Sequence, residues 1–433
     1  MITIEEVITY DHLVKAYFHC RKGKSFRETT IRYHMQYQEK LLSLMHQLLN
    51  GTYKIKDLYS FTIYEPKKRN ITANQFEDKI VQRVLCKYVL EPTVAPKLIF
   101  DNYASQPKKG THLAVQRLQR GMIKYAKSVN WTNHGWVAVC DIRKFFYTIY
   151  RPYVIDRINK LDIDSRLKKL LYDQVYACGP EYNEYTDDPD RGLCIGFQTS
   201  QWLAVYALNG LDHFIKEKLH IKEYGRYMDD FYMIHEDKDY LEYCLSEVKK
   251  YVEDVLHLEL NKKTHIHPFS QGICFLGYHC IFNERTHKID TIIRSKSIRK
   301  MKHRTKKHEY LIQLGKMKES DADMSLESWH AYAKHGNSEK AKNAYKLARA
   351  QIHKFNYNDA LLDGMRTDNN IDVDGFMVLK SKNPSELFPK TISVKEYKES
   401  KGYQEIQSKQ TKKDKRLINT RKILRNNMND LIF

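Results

Sequence analysis

Apolar residues recur every three to four positions through residues 36–53. In QYQEKLLSLMHQLLNGTY, Leu41, Leu42, Met45, Leu48 and Leu49 share one face and the run stops at Gly51. That spacing predicts an amphipathic helix closed by a glycine, and residues 1–60 read as helical overall. The next segment, FTIYEPKKRNITA, alternates around a proline and predicts a β-hairpin. Helical spacing returns at 74–94 with Ile80, Val81, Val84, Leu85 and Val89. A short apolar run, Val137 to Cys140, predicts a buried strand that ends at Asp141. Residues 151–179 are helical, 180–192 form a polar loop, and 197–219 form a long helix with a mostly apolar face. Residues 222–235, KEYGRYMDDFYMIH, predict strand–turn–strand; 240–258 an amphipathic helix; 272–282, GICFLGYHCIF, a strand. From about residue 290 the chain is helical and basic.

The order strand, helix, helix, hairpin, helix over residues 137–262 lacks the Gly-rich turns of a dinucleotide fold. It suits an α+β architecture on an antiparallel sheet of the split βαβ kind. A chain of 433 residues is too long for one small core, so two or three subdomains are expected. Mean hydropathy of −0.64 and the lack of a long apolar run argue against a membrane span. The acidic start MITIEEVITYDHL lacks a signal-peptide core, so the expected location is cytoplasmic. Eight cysteines include no CxxC pair and no Cys/His set with zinc spacing, and they read as reduced core thiols. A net charge of +20 points to a polyanionic partner, nucleic acid being the commonest.

The hairpin at 222–235 carries the sharpest chemistry. Asp229 and Asp230 stand side by side between Tyr224, Tyr227, Phe231, Tyr232, Met233 and Ile234. Two carboxylates in a half-buried turn repel each other and lose hydration. A divalent ion would neutralise them. Asp141, at the end of its own strand, is a third carboxylate that joins them if the strands are neighbours. Oxygen ligands of this kind select Mg²⁺, and two such ions clamp the attacking and leaving oxygens of a phosphoryl transfer. Taken alone, the Asp-Asp pair is equally a polar surface turn, like Asp187–Asp188 in the loop YTDDPD.

The segments DIRKFF from Asp141, IGFQTSQ, YMDD, LNKKT and FLGY occur in the order and at about the spacing of reverse-transcriptase motifs. Upstream, PKKRNI and YASQPKKGTHLAVQRL resemble the finger motifs of bacterial reverse transcriptases. The resemblance covers roughly residues 10–350. It implies a right-hand polymerase: N-terminal helices and fingers over 1–135, a palm over 136–282, a basic helical thumb over 283–350, and an extension of unassigned role over 351–433. It implies Asp141, Asp229 and Asp230 as catalytic residues holding two Mg²⁺ ions (Mn²⁺ as a substitute), with the Ile142 carbonyl as a further ligand. Lys67 and Arg69 would meet the incoming triphosphate. Phe146 would lie under the nucleotide sugar, where a ring leaves no room for a 2′-hydroxyl; by spacing alone it is a core residue beside Phe145. Lys263 would protonate the leaving pyrophosphate, or is simply a solvated lysine. Phe275, Leu276 and Gly277 would form the primer grip.

Gly196, Ser200 and Gln201 would line the nucleotide and template side. Here the chain departs from the common Gln-Gly…Ser-Pro pattern. Its Ile195-Gly196…Ser200-Gln201 form resembles defence-associated and diversity-generating bacterial enzymes, and WLAVYALNGLD lacks an Ala-Asn pair, which tilts the reading to the defence group. The implied partners are an RNA template, with a dedicated noncoding RNA as one candidate, a DNA primer or product, and dNTPs, with no membrane. A homo-oligomer or an accessory protein is compatible. The basic stretch KQTKKDKRLINTRKILR either grips a structured RNA or is a solvated tail. The competing functions are the mutagenic enzyme of a diversity-generating retroelement and a catalytically silent RNA-binding protein on the same fold.

Overall fold

The computed structural model describes residues 1–64 and 69–364. Lys67 and the basic stretch at 409–425 lie outside them. Met1–Tyr357 forms one compact unit.

Near the N-terminus the helix Tyr37–Leu49 buries Leu41, Leu44 and Leu48, and Gly51 follows at φ 69°. The buried stripe runs i, i+3, i+7, so Leu44 takes the place expected of its neighbours and Leu42 is left 44% exposed. The proline-centred segment folds as expected, with β1 (Tyr59–Ile63) antiparallel to β2 (Arg69–Ala73). The helix Phe76–Leu85 and its continuation bury Ile80, Val81, Val84, Leu85 and Val89 completely.

The central sheet contains β3 (Trp136–Asp141), β4 (Glu223–Tyr227), β5 (Asp230–His235) and β6 (His265–Pro268) in the order β4-β5-β3-β6. Every pairing is antiparallel. Period-two alternation sorts its side chains between two cores. Ala138, Cys140, Phe231 and Met233 join one core with the helices Gln198–Ala207 and Lys238–Lys250. Val137, Tyr232 and Ile234 join the other, with the helix Thr111–Ser128. A sheet buried on both faces is stiff, and its strand ends are therefore well placed to hold chemistry.

Two features were not legible beforehand. The strand β6, HIHP, is too short and too polar to show alternation. GICFLGYHCIF is not one strand but two, β7 (Ile273–Phe275) and β8 (Tyr278–Asn283), which pair with each other, and β8 pairs in turn with β9 (Lys288–Ile293). Three helices follow, Ser295–Gln313, Glu319–Ala333 and Glu339–Gly364. The mixed helix–strand fold with antiparallel sheets agrees with the expected class.

The expectation of uniformly reduced core thiols is corrected. Cys178 and Cys194 form a disulfide with Cα atoms 5.8 Å apart, and the six others are free. The polar loop between them turns back and brings the two sulfurs together. Cys280 is buried, whereas Cys274 is exposed. Among the described residues no helix is long and apolar enough to cross a membrane.

Candidate active site

Asp141 is the last residue of β3, and its Cα partner across the ladder is Asp230, the first residue of β5. One residue further on, the Ile142 amide donates to the Asp229 carbonyl at 3.3 Å. Three carboxylates from two distant segments therefore meet at one end of the central sheet. Tyr227 pairs with Asp230, so the hairpin turn is only Met228 and Asp229. Met228 sits at φ 55°, a conformation a long side chain adopts only when its surroundings enforce it.

Part of that enforcement comes from Arg226, two residues before the turn in β4 and fully buried. Its guanidinium forks onto Asp212, with Nε to Oδ1 and Nη2 to Oδ2 both at 2.6 Å. Asp212 is equally buried, and it also accepts from Tyr224 Oη at 2.6 Å and Asn102 Nδ2 at 3.2 Å. Arg226 donates further to the Met228 carbonyl at 2.8 Å and the Val205 carbonyl at 3.2 Å. Burial opposes its charge, but Asp212 and Tyr224 outweigh that and hold the guanidinium protonated. The turn is thus tied to the helix behind it.

Asp141 is braced from its other side. The Asn261 amide donates to the Asp141 carbonyl at 2.7 Å, and Asn261 Nδ2 donates to Asp141 Oδ2 at 2.8 Å. Thr264 Oγ1 accepts from the Asp141 amide at 3.4 Å. Both residues belong to the LNKKT segment, in which the sequence drew attention to Lys263. Lys263 itself is exposed, and its amide donates to Asn261 Oδ1.

The electrostatics follow from this crowding. Burial, aided by the Asp141 carboxylate, pushes Asp229 up to about 6. Burial, then Asp141, then Asp229, push Asp230 up to about 7. The opposing charges are Arg69, acting on Asp229, and Arg294, acting on Asp230. Three hard oxygen donors in mutual repulsion, beside the Ile142 carbonyl, fit a small divalent cation such as Mg²⁺. Among the described residues, no three His, Cys, Asp or Glu side chains stand at ligand spacing as they are.

The remaining residues fall into place unevenly. Phe145 packs in the core, while Phe146 is half-buried and lines a small cavity with Asn70, Thr72 and Ile195. A Cβ on Gly196 would collide with the Thr72 carbonyl, so this glycine lets the loop lie directly against β2, the strand that begins with Arg69. In the helix that follows, Gln201 is exposed. Ser200 is 1% exposed and its Oγ has no partner among the described residues. Leu276 (φ 50°) and Gly277 (φ 93°) form a tight two-residue turn between β7 and β8. Phe275 is buried under it. The Arg294 amide donates to the Gly277 carbonyl at 3.4 Å, which links this turn to the arginine that acts on Asp230.

Sequence reasoning missed Asn261, Arg226 and Asp212. A signal existed for the last two: one arginine inside an apolar strand, EYGRY, and one aspartate inside an apolar helix, LNGLDHF. Charges in such places persist only when paired.

Paired acids at the tip of a buried antiparallel hairpin, with a third on the adjoining strand, define the polymerase class of nucleotidyltransferases. The family model for "Reverse transcriptase (RNA-dependent DNA polymerase)" matches residues 63–280, half of the chain, and the chain belongs to that family. No curated protein matches it significantly. Among solved structures, an apo telomerase from Candida tropicalis, truncated from its C-terminal domain, is similar at 14% identity and a TM-score of 0.40. That match covers 54% of this chain and 55% of that one, so about half of each is shared.

Proposed function

We propose that the protein is an RNA-directed DNA polymerase that extends a primer 3′-hydroxyl by attack on the α-phosphate of a dNTP. The observation that carries this reading is the register of β3 against β5, which sets Asp141 opposite Asp230 and beside Asp229. Asp141, Asp229, Asp230 and the Ile142 carbonyl would hold two Mg²⁺ ions, or Mn²⁺. When bound, such ions neutralise charge on the attacking and leaving oxygens. The protein's own contribution is position. Arg226 and Asn261 fix the two acid-bearing segments before substrate arrives. Arg69, already within electrostatic reach of Asp229, would pair with the triphosphate, together with Lys67. Phe146 would floor the sugar pocket, the Leu276–Gly277 turn would grip the primer, and Lys263 would deliver a proton to pyrophosphate. The helix Ser295–Gln313 carries seven lysines and arginines and would follow the template–primer backbone as a thumb.

The biological setting we infer is bacterial antiviral defence on a dedicated noncoding RNA. It rests on the Ile195-Gly196…Ser200-Gln201 pattern. Primer extension with Mg²⁺, dNTPs and an RNA template tests the activity: we expect product from the wild type and none from Asp229→Ala with Asp230→Ala. No wild-type product under conditions where RNA binds would favour a silent RNA-binding protein. Sequencing the nucleic acid that co-purifies from the native host tests the setting. One small RNA with its cDNA supports it, and a random sample of cellular RNA counts against it.

A further inference from the structure

A second cleft, of about 560 Å³, opens on the N-terminal side of β1. It is lined by six cations, Lys24, Arg27, Arg32, Lys40, Lys56 and Lys79, and by one acid, Glu77. Lys56 pairs with Glu77 at 2.7 Å, and Arg32 pairs with Glu28 outside the cleft. Lys79 donates to Tyr59 Oη at 3.2 Å, and Lys40 lies over the Tyr33 ring at 5.2 Å. Among the described residues, no carboxylate pairs with Lys24, Arg27, Lys40 or Lys79. Four unneutralised cations around one hollow repel one another, an arrangement that a polyanion relieves.

Two further observations narrow the ligand. Asn74 lines the same cleft, is fully buried, and neither atom of its side-chain amide has a partner among the described residues. An unmet donor beside an unmet acceptor matches the edge of an unpaired base. The lining also carries an exposed ring, Tyr59 at 43%, on which a base can stack. A cationic groove with an aromatic platform and an unsatisfied amide is the physical description of a single-strand site; in a duplex the Watson–Crick edges are paired and the internal base faces are stacked on one another. The cleft is also distinct from the catalytic centre. Asn74 follows β2, five residues beyond Arg69, which is roughly 16 Å of extended chain.

We infer that this cleft binds single-stranded RNA, with phosphates on Lys24, Arg27 and Lys40, a base edge on Asn74 and stacking on Tyr59. Its test needs no catalysis, so it stands or falls separately from the polymerase reading. The full-length protein in EDTA is titrated into a labelled single-stranded RNA oligomer and a blunt RNA duplex over a salt series. Lys24→Glu/Arg27→Glu/Lys40→Glu is compared with a control that reverses three exposed lysines, Lys238, Lys249 and Lys250. The neutral triple, with glutamine at the three cleft positions, covers the case in which reversal disturbs folding.

Three phosphate contacts on a single strand account for a change of about 2 in the slope of log K against log salt. The cleft variants should lose roughly that slope and at least tenfold in single-strand affinity, with the duplex and the control changed by less than threefold. Asn74→Ala should weaken the single strand without altering the slope, because it removes no charge. Equal losses for duplex and single strand, a control that loses as much as the cleft variants, or unchanged binding in the glutamine triple would each overturn the site.

Discussion

Arg226 offers the most discriminating test of how the site is built. Truncating it alone is uninformative: Asp212 would be left buried and unpaired, at a cost of about 3–5 kcal/mol, and the Met228 and Val205 carbonyls would lose a donor. Such a protein would unfold for reasons unrelated to chemistry. The useful perturbation removes the pair together. Arg226→Met with Asp212→Leu replaces two fully buried, mutually satisfied charges by apolar chains of similar volume, a change that is often neutral or stabilising. Tyr224 Oη and the buried Asn102 Nδ2 both lose their acceptor; Tyr224→Phe removes one penalty of about 1–3 kcal/mol, and the orphaned Asn102 amide leaves a second of similar size.

The triple variant should melt within a few degrees of the wild type and bind template–primer equally well. The Met228 carbonyl, however, loses the donor that pins a strained two-residue turn. Misplacement of Asp229 by an ångström is worth about 10²-fold in rate, so single-turnover incorporation should fall by that order with little change in nucleotide affinity. Arg226→Lys keeps the charge but loses the fork and should fall between. Full activity in the stable triple would refute the claim that Arg226 positions the turn, and would reduce the pair to core architecture.

Other outcomes follow from the same geometry. Asp230→Asn removes a carboxylate that burial first, then Asp141 and Asp229, push up to about 7; in EDTA near neutral pH it should raise the melting temperature by several degrees, worth a few kcal/mol, while abolishing primer extension. Asn261→Ala removes the bond to Asp141 Oδ2 and should slow incorporation roughly tenfold and raise the Mg²⁺ concentration needed for half-maximal rate, as a metal titration of kcat would register. Opening the Cys178–Cys194 bond, whose ends are 16 residues apart, should lower stability by about 3 kcal/mol in melts with and without reductant. Activity should survive, because Arg151 independently holds the carbonyls of Cys178, Pro189 and Gly192 at 2.6–2.7 Å.

What could be read in the residues depended on whether the relevant physics is local. The hairpin of β4 and β5, the strand ending at Asp141 and the buried face of Phe76–Leu85 all announce themselves through periodicity, because alternation and 3.6-residue spacing are properties of neighbouring positions. The disulfide does not: nothing in the spacing of Cys178 and Cys194 says that the loop between them doubles back. Nor does β6, whose four residues are a strand only because β3 lies alongside. Ser200 and Gln201 show the same limit, since one residue of helical rotation decides which of them meets solvent.

The supports of the site are the instructive case. The three aspartates stand out because their cost is visible in sequence, as acids among strand-forming residues. Arg226 and Asp212 carry the same kind of cost, but each appears alone, fourteen positions apart, and a lone charge in an apolar run is readily taken for an edge or a helix end. Only when the helix after Gln198–Ala207 packs behind β4 do the two become one ion pair. The pair then explains a fact about the turn that the aspartates alone leave open. Repulsion between Asp229, Asp230 and Asp141 drives the hairpin tip away from β3, and Met228 at positive φ adds strain in the same place. An apolar strand base would let the tip relax outward. A guanidinium anchored at full burial, with one arm on the tip's own carbonyl, opposes that movement, and so keeps three like charges together at one end of the sheet.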